Sequence, residues 1–354
     1  MNARAKRSSS TEELLSRHAE ASVTRDNPQE SRVGSSNASV HPSYPDELAA
    51  LDLEARRFDG QHRRPNTVRA RSADWRDFTL FCSRHGRESL PASVDTVKKY
   101  LTFLARDHKA STIKRRWSTI KTMHRENGVS SPTDDQQLQL FHEWVRRELG
   151  TAPQQKRALL GDELRSMCKA LPNSIVGHRD RAILCVGMVG ALRRSELCGL
   201  DLEGVAVTDE RLEIFLRTSK TDSESRGHLL YLPASADPIC CPVVAVRDWL
   251  AATGITTGPV FRSVSRWGHV SPHRLAPHAV PTIVRRAASL AGLQNIGDLG
   301  AHSLRAGFVT ELAMRGIPEH LIALQSRHKD MRVLREYVRL ESTLGGEAAR
   351  ALGL

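Results

Sequence analysis

Through the first half of the chain apolar residues recur at helical spacing, as in Val68, Trp75, Phe78 and Cys82, and no alternating strand-like stretch interrupts them. A bundle of four to five helices is therefore expected over 46–150. Thr67 and Ser111 stand where N-caps belong, and Gly86, Gly128 and Gly150 stand where helices should stop. The stretch 112–127 sets Ile113, Trp117 and Ile120 on an apolar stripe and Lys114, Lys121 and Arg125 about a quarter turn away. Such a helix can dock its apolar side and press cations onto phosphates; a solvated basic face is the alternative.

The second half mixes classes. Helices are predicted at 162–171, 179–191, 242–253, 279–291, 303–315, 318–326 and 331–340. Leu212, Ile214 and Leu216 alternate with polar or outward residues, and 228–232 reads as the partner strand after a polar turn. The expected fold is thus a mainly α N-terminal helical bundle followed by an α+β domain with a small antiparallel sheet. Between them, 151–157 combines a proline with polar and basic side chains and reads as an interdomain linker. Residues 1–45 are rich in Ser, Arg, Asn and Glu and read as a disordered tail.

Composition adds one direction. Of 354 residues, 40% are hydrophobic and 26% charged, ordinary globular proportions, but the formal net charge of +12 favours polyanionic partners such as nucleic acid. No apolar run is long enough to span a bilayer, and the first 30 residues lack a secretory core, so a cytoplasmic protein without membrane contact is expected. The six cysteines lack metal or disulfide spacing, and Cys240-Cys241 before Pro242 reads as a loop-to-helix junction. His269, His273 and His278 fall in a proline-rich loop with no common metal spacing. Trp267 with Arg262 and Arg266 forms either a DNA-facing loop or packing under one.

Three segments bear candidate chemistry. Arg193, Arg194 and Glu196 follow an apolar helix; His302 and Arg305 stand three apart on one face of a beginning helix; and His328 precedes Tyr337 by nine residues. Each alone reads as a surface ion pair, a cap or a packed aromatic. Taken in order, with Lys220 in the polar turn 218–222, they resemble the tyrosine recombinase, or phage integrase, family. The resemblance spans about 62–341, because Asn66-Thr67-Val68-Arg69 with Asp74-Trp75, and Ser111-Thr112-Ile113, look like the opening and the basic helix of that family's core-binding domain. The family often carries Leu-Gly-His where this chain has Ser326-Arg327-His328, a departure that bears on the local turn rather than on the histidine.

The resemblance implies a core-binding, DNA-binding domain at 46–150, with Lys114, Lys121 and Arg125 toward DNA, and a catalytic domain at 158–341 ahead of a C-terminal tail at 342–354. Tyr337 would attack phosphorus, Arg193 and Arg305 would clamp the scissile phosphate, and His328 would be a further donor. Lys220 would protonate the leaving 5′-oxygen, His302 would aid proton transfer with Tyr337, and Glu196 would orient the site by pairing with an arginine. Residue chemistry agrees. A tyrosine hydroxyl is neutral at cellular pH and must lose its proton as it attacks, while arginine offers a permanently charged fork to the oxygens on which charge builds. Because the bond energy is kept in a 3′-phosphotyrosyl link, no cofactor or metal is expected.

The expected partners are a double-stranded DNA recombination site and three further copies of the chain, in a homotetramer that could exchange C-terminal tails; accessory proteins are not specified. Two alternatives share parts of this reading: a type IB topoisomerase-like enzyme that nicks and reseals, and a DNA-binding protein that has lost catalysis.

Overall fold

The computed structural model describes residues 48–51, 53–54, 65–150, 156–217, 227–328, 330–332 and 334–335. Contacts divide the chain into two units, one over 30–154 and one built mainly from 155–354.

Among the described residues the first unit packs α1 (Pro65–Arg84), α2 (Val94–Ala105), α3 (Ala110–Glu126) and α4 (Gln136–Glu148) against one another. Their apolar faces enclose Phe78, Val97, Tyr100, Leu101, Leu104, Ile113, Ile120 and Leu138, all nearly inaccessible. Trp117 completes the stripe, stacked 4.3 Å from the His142 ring. Gly86, Gly128 and Gly150 each take a positive φ just beyond a helix end. Ser111 is not the cap of α3: the helix starts ahead of it, with Lys109 at the N-cap. Several inward-facing polar side chains find partners. The His124 ring accepts the Ala92 N–H at 2.9 Å and faces the Ile120 carbonyl at 2.9 Å, while Arg116 reaches Asp77 at 2.6 Å.

In the second unit α5 (Gly161–Ala170) and α6 (Ile175–Val189) precede a single turn of helix, α7 (Arg194–Cys198). Helix α6 is buried on nearly every side, its consecutive Ala182, Ile183, Leu184, Cys185 and Val186 all being inaccessible, so it forms the centre of this core. Around it lie α8 (Pro242–Thr253), α9 (Val280–Leu290) and α10 (Ala301–Met314), and α11 (Glu319–Ser326) packs on α10. Trp249 of α8 is fully buried and donates its indole N–H to the Val260 carbonyl at 2.8 Å.

Strands β1 (Val205–Val207), β2 (Arg211–Leu216) and β3 (His228–Pro233) form an antiparallel sheet in that order. Leu212 opposes Leu232 and Ile214 opposes Leu230, which puts one apolar face onto the core. On the opposite face Glu213 is fully buried, held at 2.6 Å by Arg211, whose guanidinium also covers the Tyr231 ring. The alternation in the sequence suggests an outward Glu213; a neighbouring cation instead covers it.

A second hairpin, β4 (Arg262–Val264) with β5 (Val270–Arg274), occupies part of the region expected to be a proline-rich loop. His273 therefore lies in a strand, and Trp267 at the hairpin turn is 73% exposed with the Arg266 guanidinium 4.5 Å from its ring. It is not packed beneath the loop. Among the described residues no helix is long and apolar enough to cross a membrane, and no cluster of His, Cys, Asp or Glu forms a metal-sized group.

Candidate active site

The site grows from the end of α6. Gly190 closes the helix, and Ala191 then takes a positive φ of 45°. A side chain with a Cβ adopts that backbone at a cost of about 1 kcal/mol. The turn aims the Ala191 carbonyl at two guanidiniums: Arg305 donates to it from Nη1 at 2.6 Å, and Arg327 from Nη2 at 3.3 Å. Those charge-assisted bonds offset the strain.

Two residues on, Arg193 is the N-cap of α7. Its backbone N–H donates to Glu196 Oε2 at 2.9 Å and its Nη1 to Glu196 Oε1 at 2.7 Å. The sequence expectation that Glu196 pairs with an arginine thus has its geometry. A second guanidinium joins it, because Arg327 Nη2 donates to Glu196 Oε2 at 2.9 Å. Glu196 is buried; burial pushes its carboxyl pKa up, but Arg327 and Arg193 outweigh that and hold it below the usual carboxylate range.

Helix α10 supplies His302 and Arg305. Gly300 opens it, its N–H donating to Ser303 Oγ at 3.0 Å. The chain at 157–160 lies against α10, with the Leu159 N–H on the Ser303 carbonyl at 3.1 Å. This contact requires Gly307, whose Cβ would stand 1.8 Å from the Leu159 carbonyl oxygen. Arg305 is buried, whereas His302 reaches the surface. The His302 pKa is lowered, first by surrounding protein and then by the charges of Arg305 and Arg193, so its ring is neutral near pH 7.

Helix α11 ends at Arg327, in left-handed backbone at φ 57° and ψ 43°. This is a conformation that favours glycine, the residue the family often carries here, and Arg327 adopts it. His328 follows. Ser326 Oγ donates to the Ile322 carbonyl at 2.6 Å and lies 2.7 Å from His328 Nδ1. A hydroxyl has one proton, so Nδ1 carries the hydrogen of that second bond and Nε2 of the neutral ring does not. Burial, then Arg305, Arg193, His302 and Arg327, push the His328 pKa down to about 3.

Arg193, Glu196, His302, Arg305 and His328 are therefore brought together from three separate segments. Lys220 and Tyr337, along with the tails 1–45 and 342–354 and most of the linker, lie outside the described residues. Sequence reading missed Arg327 and Ser326; the departure at 326–328 marked the position but not what the side chains hold.

The residues expected to face DNA belong to the other unit. Lys114 and Arg125 of α3 are exposed, but Lys121 is paired with Asp134 at 2.8 Å. Arg115, passed over in sequence reading, is half-exposed and anchored on the buried carboxylate of Asp74.

The phage integrase family model matches residues 157–343. The integrase/recombinase xerD homolog of Selenomonas ruminantium is 34% identical over 292 residues, covering 81% of this chain and 85% of that protein. The solved lambda integrase dimer bound to a COC′ core site has the same fold at a TM-score of 0.54 and 17% identity, covering 82% of this chain and 94% of its own. A lambda integrase tetramer bound to a Holliday junction matches at 0.52 and 15%, over 82% of this chain and 76% of its own. A family match over more than half of the chain, and a relative that aligns along most of both sequences, agree with the clustered arginines and histidines: the chain belongs to the phage integrase family of tyrosine recombinases.

Proposed function

We propose that this recombinase breaks and rejoins double-stranded DNA at specific sites through a 3′-phosphotyrosyl link made by Tyr337. The observation that supports the reading is the convergence of Arg193 and Arg305 beside the Ala191 turn, with the neutral His328 next to them, which would give one phosphate a cationic seat. Arg193 and Arg305 would bind the non-bridging oxygens as charge grows there. His302, neutral near pH 7, is suited to accept the Tyr337 proton. His328 would donate from Nε2 only after taking up a proton, which an anionic phosphate among those cations favours. Lys220 would protonate the leaving 5′-oxygen.

In this reading 46–150 is the core-binding domain, with Lys114 and Arg125 on phosphates, 151–157 is the linker, and 158–341 is the catalytic domain. Four copies would act on two sites, consistent with the tetrameric assembly seen for lambda integrase, and the 342–354 tail could pass between protomers. The reaction would take place in the cytoplasm on nucleoid DNA; the six cysteines are all free thiols, as a reducing compartment favours.

The test is to incubate the protein and Tyr337→Phe with nicked suicide duplexes built on the sequence this protein enriches from random DNA. A denaturant-resistant adduct with the unsubstituted protein alone is expected. Binding without an adduct would refute the assignment.

A further inference from the structure

Arg327 is not among the residues to which a tyrosine recombinase's chemistry is assigned, yet it ties together several separate parts of the site. It is buried at 9% exposure and takes left-handed backbone, which a residue with a Cβ adopts at a cost. Its Nη1 donates to the carbonyls of Gln325 at 2.9 Å and Gly190 at 3.2 Å, and its Nη2 to Ala191 at 3.3 Å and Glu196 at 2.9 Å. Its own carbonyl accepts from Arg193 Nη2 at 3.4 Å. It thereby joins the end of α6, helix α7 and the His328 segment, and shares the Ala191 carbonyl with Arg305.

The charges matter as much as the bonds. Arg193 is fastened to Glu196 through two hydrogen bonds, and the formal charges of that pair cancel. A clamp whose arginine is neutralised in this way has little left to attract a phosphate. Arg327 adds a second positive charge to the same carboxylate, so Arg193, Glu196 and Arg327 together carry one net positive charge. Arg305 brings a second. A phosphodiester gains negative charge as it becomes five-coordinate, so this balance acts most strongly in the transition state.

We propose that Arg327 is a positioning residue that serves the reaction by two routes: it neutralises Glu196, so that Arg193 is oriented by a carboxylate without losing its charge to it, and it locks His328 to the same framework. The inference rests on the reading of Arg193 as a phosphate ligand.

The test measures single-turnover adduct formation at saturating suicide duplex, together with duplex affinity and thermal unfolding, for the unsubstituted chain, Arg327→Met, Arg327→Lys and the pair Glu196→Gln/Arg327→Met. Arg327→Met should slow adduct formation about 10- to 100-fold while affinity stays within about threefold. Arg327→Lys, which keeps the charge, should recover most of the rate. The paired substitution, which removes the charge to be neutralised along with its neutraliser, should be faster than Arg327→Met alone. A merely architectural Arg327 predicts the opposite order, since two lost anchors are worse than one. Arg327→Met at the unsubstituted rate, or Arg327→Lys as slow as Arg327→Met, overturns the proposal. Should Arg327→Met not fold, Arg327→Lys decides against the unsubstituted chain: a rate within about threefold is expected, and a loss of about 10-fold or more overturns the proposal. Absence of any adduct with the unsubstituted chain overturns the phosphotyrosine reading itself, and this inference with it.

Discussion

Replacing Glu196 with glutamine probes the anchor of the site without changing its shape. The carboxylate is buried and accepts from the Arg193 N–H at 2.9 Å, Arg193 Nη1 at 2.7 Å and Arg327 Nη2 at 2.9 Å. An amide keeps one acceptor oxygen but turns a donor toward a guanidinium and leaves two cations facing each other. Removing one partner of a buried ion pair typically costs about 3–5 kcal/mol; with one acceptor retained, the expected cost is about 3 kcal/mol. In a unit of this size that corresponds to a melting temperature lower by roughly 6–12 °C. Circular dichroism melts, read on the transition of the unit built from 155–354, measure it. The pH dependence has a definite sign. Because the folded carboxyl pKa is depressed, its stabilisation is present above the unfolded value, near pH 4.3, and is lost as pH falls through the folded value. The stability gap between the unsubstituted chain and the Glu196→Gln variant should thus be full at pH 7 and shrink below about pH 4. A loss under about 1 kcal/mol at pH 7 would refute the argument that this carboxylate anchors two guanidiniums.

Arg305→Met should lower adduct formation by at least about 100-fold while duplex affinity, read by fluorescence anisotropy, falls far less; equal losses would make Arg305 a docking residue. Gly307→Ala should cost about 1–3 kcal/mol in a urea titration, because the new methyl meets the Leu159 carbonyl oxygen; an unchanged midpoint would mean that the 157–160 segment moves freely. His328→Gln should flatten the acid side of the stability profile. The His328 pKa falls from about 6.5 unfolded to about 3 folded, so the protein loses up to about 3 kcal/mol between pH 7 and 4, and the variant should not. Lys114→Ala should reduce the log–log salt slope of DNA binding by about 1, and Lys121→Ala by less, since Asp134 already neutralises Lys121; equal slopes for the two variants would reject that distinction.

Much of this protein is legible along its chain because the responsible physics is local. Helical periodicity marks α1 to α4 and most helices of the second unit; glycine's freedom at positive φ marks where three of them stop. A spacing of three on one helix puts His302 and Arg305 on the same face, and the order of Arg193, that pair and His328 signals the family. Other features depend on neighbours remote in sequence. A three-residue β4 is too short to show a period, so its pairing with β5 is decided by the turn between them. Glu213 is buried rather than outward because Arg211 and Tyr231 cover it. Lys121, indistinguishable from Lys114 by helical position, is set apart by Asp134. Arg327 shows the division most clearly: in sequence it is a basic residue where a glycine is common, and its meaning comes from Glu196, 131 positions earlier. Local spacing determined which residues could do the chemistry; only the tertiary fold, by burying one carboxylate between two arginines, decided how their charges are shared.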